Sequence, residues 1–164
     1  MNLRKDLISM KKVKMICFDM DGTIADLYGV DNWLEDLRNF NPRPYIQAKP
    51  MWDMKELVNV LETLKENGIE IRVISWLSKE STPKYDDLVR QAKKDWLHSQ
   101  GIICDHTHLV KYGTTKANCV RKYLNKNECA ILVDDNNQVR NGWTLGDTIN
   151  PTEENIIEIL KSLI

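Results

Sequence analysis

The sequence predicts an α/β fold, an open parallel sheet with helices on both faces, and three observations lead to it. Short apolar runs of strand length alternate with longer stretches of helical periodicity, the pattern of successive strand–helix–strand units whose strands lie parallel and buried. Polar residues recur directly after those runs: Asp19, Asp21 and Thr23, then Ser75, then Lys116, then Asp134 and Asp135. The composition is that of an ordinary globular domain, 42% hydrophobic and 29% charged, with 23 Lys and Arg against 24 Asp and Glu for a formal net charge of −1. Neither a disordered chain nor a protein that tracks nucleic-acid phosphates on a basic surface has that balance.

The elements follow in order. The first fourteen residues carry Arg4, Lys5, Lys11, Lys12 and Lys14 against Asp6 alone and read as a solvated lead-in, with a weak tether to an anionic partner as the alternative. Val13 to Phe18 is an apolar run interrupted only by Lys14, and it stops at Asp19-Met20-Asp21-Gly22-Thr23. Residues 24–50 change texture, with Trp33, Leu34 and Leu37 in a short helix and Pro42, Pro44 and Pro50 in a broken stretch; they form a small insert. Asp53-Met54-Lys55-Glu56 is a capping-box pattern with Asp in place of Ser or Thr. It opens a helix with Met54, Leu57, Val58, Leu61 and Leu64 on one face, closed by Gly68.

Ile69 to Ile74 predicts the second strand, ending at Ser75. Thr82-Pro83 pairs an N-cap with a first-turn proline, and Leu88, Val89, Ala92 and Trp96 then repeat at helical spacing up to Gly101. A weaker strand near His106–Val110 leads to Gly113-Thr114-Thr115-Lys116 and a helix with Ala117, Val120 and Leu124. Ala130 to Val133 is the next strand, ending on Asp134-Asp135. Asn150-Pro151-Thr152-Glu153 caps a last helix whose face is Ile156, Ile157, Leu160 and Leu163. A chain of 164 residues buries roughly 70% of its unfolded surface, enough for one core, so residues 1–164 are expected to form a single domain with the insert as a small cap. No apolar stretch approaches bilayer length and the N-terminus lacks a secretory pattern, which predicts a cytoplasmic protein. Cys17, Cys104, Cys119 and Cys129 form no Cys-x-x-Cys pair and are expected to be packed, reduced thiols.

In an open α/β sheet, ligands bind beyond the carboxyl ends of the strands. An Asp after one strand is usually a turn or cap residue, and a single Lys a solvated charge; their recurrence at the same end of successive strands makes a site. Two carboxylates about 4 Å apart repel by roughly 4 kcal/mol at an effective dielectric of 20, so the cluster of Asp19, Asp21, Asp134 and Asp135 predicts a cation. No His/Cys set has zinc spacing, and His106 and His108 read as surface or packing residues, which leaves Mg²⁺. With metal present an anionic phosphate can approach a carboxylate nucleophile. The hydroxyls of Thr23 and Ser75 then donate to its oxygens, and Lys116, expected to be partly exposed at the start of its helix, neutralises developing charge. The chemistry so described is metal-assisted phosphoryl transfer through an aspartyl-phosphate. Trp76 directly follows Ser75 and joins this phosphate-binding set at the mouth of the site, where it either stacks on a ring or packs beneath the loop. Trp52 and Tyr45 are candidates for substrate contact from the insert and its border.

Phe18-Asp19-Met20-Asp21-Gly22-Thr23, with Ser75, Lys116 and Val133-Asp134-Asp135 in that order, resembles the haloacid dehalogenase (HAD) superfamily, in particular its phosphatase branch. The resemblance implies a HAD-like, Rossmann-like fold. It also implies Asp19 as nucleophile, Asp21 as general acid and later base, and a Mg²⁺ held by Asp19, the backbone carbonyl of Asp21 and one of Asp134 and Asp135. Asp135 is favoured as the inner ligand with Asp134 orienting Lys116, and the opposite assignment is open. Ser75 through Lys84-Tyr85 to Lys94-Asp95-Trp96-Leu97 is similar to the 5′(3′)-deoxyribonucleotidase group, from which the chain departs in its shorter insert.

The expected partner is a small phosphorylated substrate, with a nucleoside 5′(3′)-monophosphate leading; a membrane is not expected, and the near-zero charge weighs against nucleic acid. The alternatives are a phosphatase of nucleic-acid ends or phosphoproteins, and a non-catalytic module that binds Mg²⁺ and phosphate.

Overall fold

The computed structural model describes residues 10–164, so the lead-in residues Arg4, Lys5 and Asp6 lie outside the described part. In chain order the elements begin with β1 (Lys12–Phe18), β2 (Ala25–Asp26), α1 (Trp33–Arg38), α2 (Arg43–Gln47) and β3 (Lys49–Pro50). They continue with α3 (Met54–Glu66), β4 (Glu70–Trp76), α4 (Pro83–Ser99), β5 (His106–Val110) and α5 (Lys116–Val120). The last are β6 (Glu128–Val133), α6 (Asn137–Asn141), β7 (Thr148–Ile149) and α7 (Ile156–Lys161). Five strands form one sheet in the order β5-β4-β1-β6-β7, every neighbouring pair parallel. This is the Rossmann-like α/β arrangement that the sequence predicts.

β1 takes the centre because it is apolar on both sides: Met15, Ile16, Cys17 and Phe18 are 0–2% exposed. The alternation of a strand then sorts the core. Ile16 and Phe18, with Ile71, Val73, Ile131 and Val133 from the flanking strands, pack under α3, α4 and α7. Met15 and Cys17, with Ala130 and Leu132, face Ala117 and Val120 of α5, and Trp143 and Val139 beside them. Helices therefore cover both faces. Lys14, the polar intruder in β1, sits at a register shift between Val13 and Met15 and reaches Glu70 at 3.5 Å; a local bulge removes it from the ladder.

Helix ends follow the capping chemistry, with two differences from the expected pattern. Asp53 accepts from the Glu56 amide at 3.0 Å and Thr82 from the Tyr85 amide at 3.2 Å. Glu56 does not complete the capping box, because its carboxylate pairs with Lys161 of α7. The last helix starts later than expected: Asn155 caps it, accepting from Ile157 and Glu158 amides at 3.1 and 3.3 Å. Asn150 instead holds a turn through Thr152. On α4 the buried stripe is Tyr85, Val89, Ala92, Lys93, Trp96 and Leu97, whereas Leu88 is 45% exposed; the true stripe is centred one position further round the helix. α5 is only five residues long and passes into a 3₁₀ turn at Arg121–Tyr123.

The insert is closed at its neck by the antiparallel pair β2–β3. Pro42 and Pro44 begin α2 rather than interrupting a loop, since a first-turn proline lacks only an amide that would be unpaired there. Leu27 and Tyr45 of the insert pack on Leu77, Tyr85, Val89 and Ala92, which seats the insert against the amino-terminal half of α4. On the edge strand β5, His108 lies 3.1 Å from Arg72 and His106 stacks on Tyr123; both are packing residues. Cys17, Cys104, Cys119 and Cys129 are free thiols, and burial pushes the Cys17 thiol up to about 12. No helix among the described residues is long and apolar enough to cross a membrane.

Candidate active site at the carboxyl end of the sheet

The loop after β1 is fixed by its own backbone. The Met20 carbonyl accepts from the amides of Thr23, Ile24 and Ala25 at 3.1, 2.9 and 3.0 Å, and the Asp19 amide donates to the Val133 carbonyl at 2.9 Å. Gly22 turns the chain at φ +78°, and a Cβ there would lie 2.4 Å from Oδ2 of Asp135 and 2.9 Å from the Tyr28 ring. Only glycine satisfies both the left-handed backbone and the close approach. Trp52 donates its indole N–H to the Thr23 carbonyl at 2.8 Å and packs against the core. It braces this loop and does not line the cavity described below, unlike the substrate contact expected of it.

Because β1 and β6 are neighbours, their ends place Asp19 beside Asp134 and Asp135. Ligand atoms of these three carboxylates lie within 4.8 Å of one another. Lys116 is 4% exposed, not partly exposed as expected, and its ammonium bridges Asp19 at 2.9 Å and Asp134 at 2.7 Å. The other oxygen of Asp134 accepts from the Asn136 amide at 2.9 Å, so both of its oxygens are occupied by the chain. Thr23, fully buried, shares its hydroxyl between Asp19 at 3.2 Å and Asp135 at 3.3 Å and accepts from the Asp135 amide at 3.2 Å. Its hydroxyl therefore faces the carboxylates.

Burial raises Asp134 to about 6 and Asp135 to about 7, with the negative charge of Asp19 as the next contribution in each case. For Lys116 burial is the largest single influence and pulls downward, but the charges of Asp19 and Asp134 together outweigh it and leave the ammonium above its ordinary value. With all three carboxylates ionised, one ammonium leaves two negative charges in a largely buried, all-oxygen cluster. That donor set fits a hard divalent cation such as Mg²⁺, and Oδ2 of Asp135, in the space that Gly22 leaves open, accepts none of the hydrogen bonds traced among the described residues.

A second buried ammonium was not expected from the sequence. Lys93, in the middle of α4 and 1% exposed, donates to Asp21 at 2.8 Å, to Ser75 Oγ at 2.6 Å and to the Trp76 carbonyl at 2.9 Å. Ser75 is fully buried, with its hydroxyl oxygen turned to Lys93. Asp21 is pushed up by burial, and the Lys93 charge opposes this. The signal available in the sequence was position: Lys93 falls within the stripe of Val89, Ala92, Trp96 and Leu97.

Asp19, Asp21, Lys116, Asp134 and Asp135 open onto a cavity of about 610 Å³. The insert supplies one wall through Tyr28, Trp33, Leu37, Phe40 and Tyr45, and Trp76 and Tyr112 stand on the sheet side. Trp76 is anchored by its indole N–H to the Thr114 carbonyl at 2.8 Å, lies 4.9 Å from Tyr112 between ring centroids, and has Lys116 5.4 Å from its ring. Arg38 and Lys79 add positive charge to the lining. Thr23, Ser75 and Trp52 are not part of this lining.

No protein-family model matches the sequence, and no curated protein matches it either. Among solved structures, a chain of the Pnkp1/Rnl/Hen1 RNA repair complex superposes with a TM-score of 0.56 at 21% identity, over 87% of this chain and 43% of that one. This chain thus spans less than half of that neighbour's length. The HAD domain of effector protein Lem4 from Legionella pneumophila gives a TM-score of 0.49 at 15% identity, over 94% of this chain and 95% of the other. The first likeness is one of fold and agrees with the open parallel sheet traced above.

Proposed function

We propose that the chain is a HAD-type, Mg²⁺-dependent phosphomonoesterase that works through an aspartyl-phosphate on Asp19. The observation that carries this reading is the position of Asp19: at the end of the central strand, bridged to Lys116 at 2.9 Å, clustered with Asp134 and Asp135, and lining the cavity. Asp19 attacks phosphorus, and the leaving oxygen takes its proton from Asp21. Asp21 then accepts a proton from the water that hydrolyses the acyl phosphate, returning Asp19 and releasing inorganic phosphate. Burial of Asp21, which raises its pKa, supports the acid role, because a carboxyl must hold its proton to donate it. Lys116 sets a positive charge against the phosphoryl oxygens.

Asp19, Asp135 and the backbone carbonyl of Asp21 are the residues that would hold Mg²⁺, which supplies neutralisation of the phosphate dianion as it nears the carboxylates. Asp134, with both oxygens already engaged, orients Lys116.

For the substrate we propose a compact phosphomonoester with a flat leaving group, nucleoside 5′(3′)-monophosphates first. The insert walls one side of the cavity, and its aromatic lining with Trp76 and Tyr112 supports a ring that stacks, a contact worth about 1–3 kcal/mol for a base. Phosphate release should be measured over nucleotides, sugar phosphates, a phosphopeptide and a phosphate-ended oligonucleotide, with and without Mg²⁺. Nucleotides turned over fastest, and only with metal, are the expected result. A preference for the oligonucleotide or phosphopeptide would replace the substrate class, and no release from any member would leave a binding module.

A further inference from the structure

Lys93 does something that neither core packing nor the expected motif set requires. Its neighbours on the buried stripe of α4 are apolar, and a buried ammonium is stable only when its donors are met. A Leu or Met of similar volume would fill that space without the penalty. An ammonium has three donors, and here they go to three acceptors from two chain segments: Asp21 after β1, and Ser75 and the Trp76 carbonyl at the end of β4. The Tyr45 ring of the insert closes over it, 5.0 Å from the ammonium, with the Tyr45 hydroxyl hydrogen-bonded to Ser78.

Two consequences follow from the donor-only chemistry of lysine. Asp21 has its Oδ2 tied, while its side chain still lines the cavity, so Oδ1 is the oxygen left to exchange a proton with substrate. Ser75 Oγ must accept from Lys93, so the Ser75 proton points away from the ammonium.

We propose that Lys93 is the positioning residue for the acid/base carboxylate. It holds one oxygen of Asp21 so that the other is presented to the leaving group, and it ties that orientation to the end of β4 through Ser75. The inference rests on the phosphomonoesterase reading above. Lys93 itself does not touch the reacting atoms.

Leaving-group dependence separates positioning from a merely structural tie. An alkyl phosphomonoester needs its leaving oxygen protonated, whereas p-nitrophenolate leaves with little acid help. Wild type, Lys93→Met, Asp21→Asn and the double variant should be compared by kcat and KM on an alkyl ester and by the single-turnover burst of p-nitrophenolate. For Lys93→Met we expect alkyl-ester kcat to fall by about tenfold or more, KM to move little, and the burst to fall only by about two- to threefold. In the double variant the two losses should not add, since both remove the same function. Equal losses on both substrates, or additive losses in the double variant, would overturn the proposal and leave Lys93 as a structural tie. If Lys93→Met does not fold, the double variant decides: activity equal to that of Asp21→Asn is the expected result, and a clear further loss overturns the proposal. A wild type that turns over neither substrate would instead remove the phosphomonoesterase reading, and the role of Lys93 with it.

Discussion

Replacing Lys116 with Met keeps the side-chain length and removes the charge between Asp19 and Asp134. The lysine is 4% exposed and makes hydrogen bonds of 2.9 and 2.7 Å to the two carboxylates. A hydrogen bond to a charged group contributes about 1.5–3 kcal/mol, and removing one partner of a buried ion pair costs about 3–5 kcal/mol because the other charge is stranded. Taking the latter figure, and about 2–4 °C per kcal/mol for a domain of this size, the metal-free variant should melt roughly 6–20 °C below the wild type at neutral pH. The sign agrees with the titration behaviour. A lysine raised on folding contributes stability that is fully present below its ordinary range and is lost only as pH rises through the folded value. The deficit should narrow as pH falls toward about 6, because Asp134 without the Lys116 charge takes its proton at higher pH in the variant than in the wild type and then no longer needs a cation. Thermal unfolding followed by circular dichroism, in chelator and across pH, measures both effects. A neutral-pH shift under about 2 °C would refute the argument, because it would mean that the bridge is absent or solvated.

Asp134 and Asp135 are raised by burial to about 6 and about 7, so their contribution to metal-free stability is present below the ordinary carboxylate range and lost as pH rises through those values. Mg²⁺ should therefore raise the melting temperature more at about pH 8 than at about pH 5, and a pH-independent gain in a metal titration would contradict the carboxylate site. Gly22→Ala should destabilise the fold by about 1–2 kcal/mol from its left-handed backbone alone. It should also weaken Mg²⁺ binding, because the new methyl meets Oδ2 of Asp135; unchanged denaturant midpoint and unchanged metal affinity would show that the close approach does not exist.

β1, β4 and β6 were legible because each is a short, mostly apolar run, and the cluster was legible because parallel strands deliver their carboxyl ends to one side. Thus Asp19, Lys116 and Asp134 meet as the alternating pattern implies. β7 was not legible, since two residues carry no period; it exists because Leu132 and Asp134 donate to Asp147 and Ile149 across the sheet. The burial of Lys116 also escaped the sequence, where a lysine at a helix start looks solvated. Its partner Asp134 is supplied by strand order, a long-range fact. Lys93 was hidden for a related reason: a lysine beside an apolar stripe usually extends its ammonium to water, and only the fold brings Asp21 and Ser75 within its reach. Trp52 and Trp76 are nearly indistinguishable by composition, yet one braces the Thr23 carbonyl and the other lines the cavity.

The central claim is that Asp19 becomes phosphorylated during turnover. The most direct measurement is mass spectrometry of protein quenched in acid after brief exposure to a phosphomonoester and Mg²⁺, with the modified peptide sequenced. With p-nitrophenyl phosphate, whose leaving group needs little acid help, the account predicts one added phosphoryl group on Asp19 in the wild type, a larger steady amount in Asp21→Asn where hydrolysis of the acyl phosphate is slowed, and none in Asp19→Asn or in chelator. Turnover without a phosphorylated Asp19, or turnover that persists in Asp19→Asn, would contradict it.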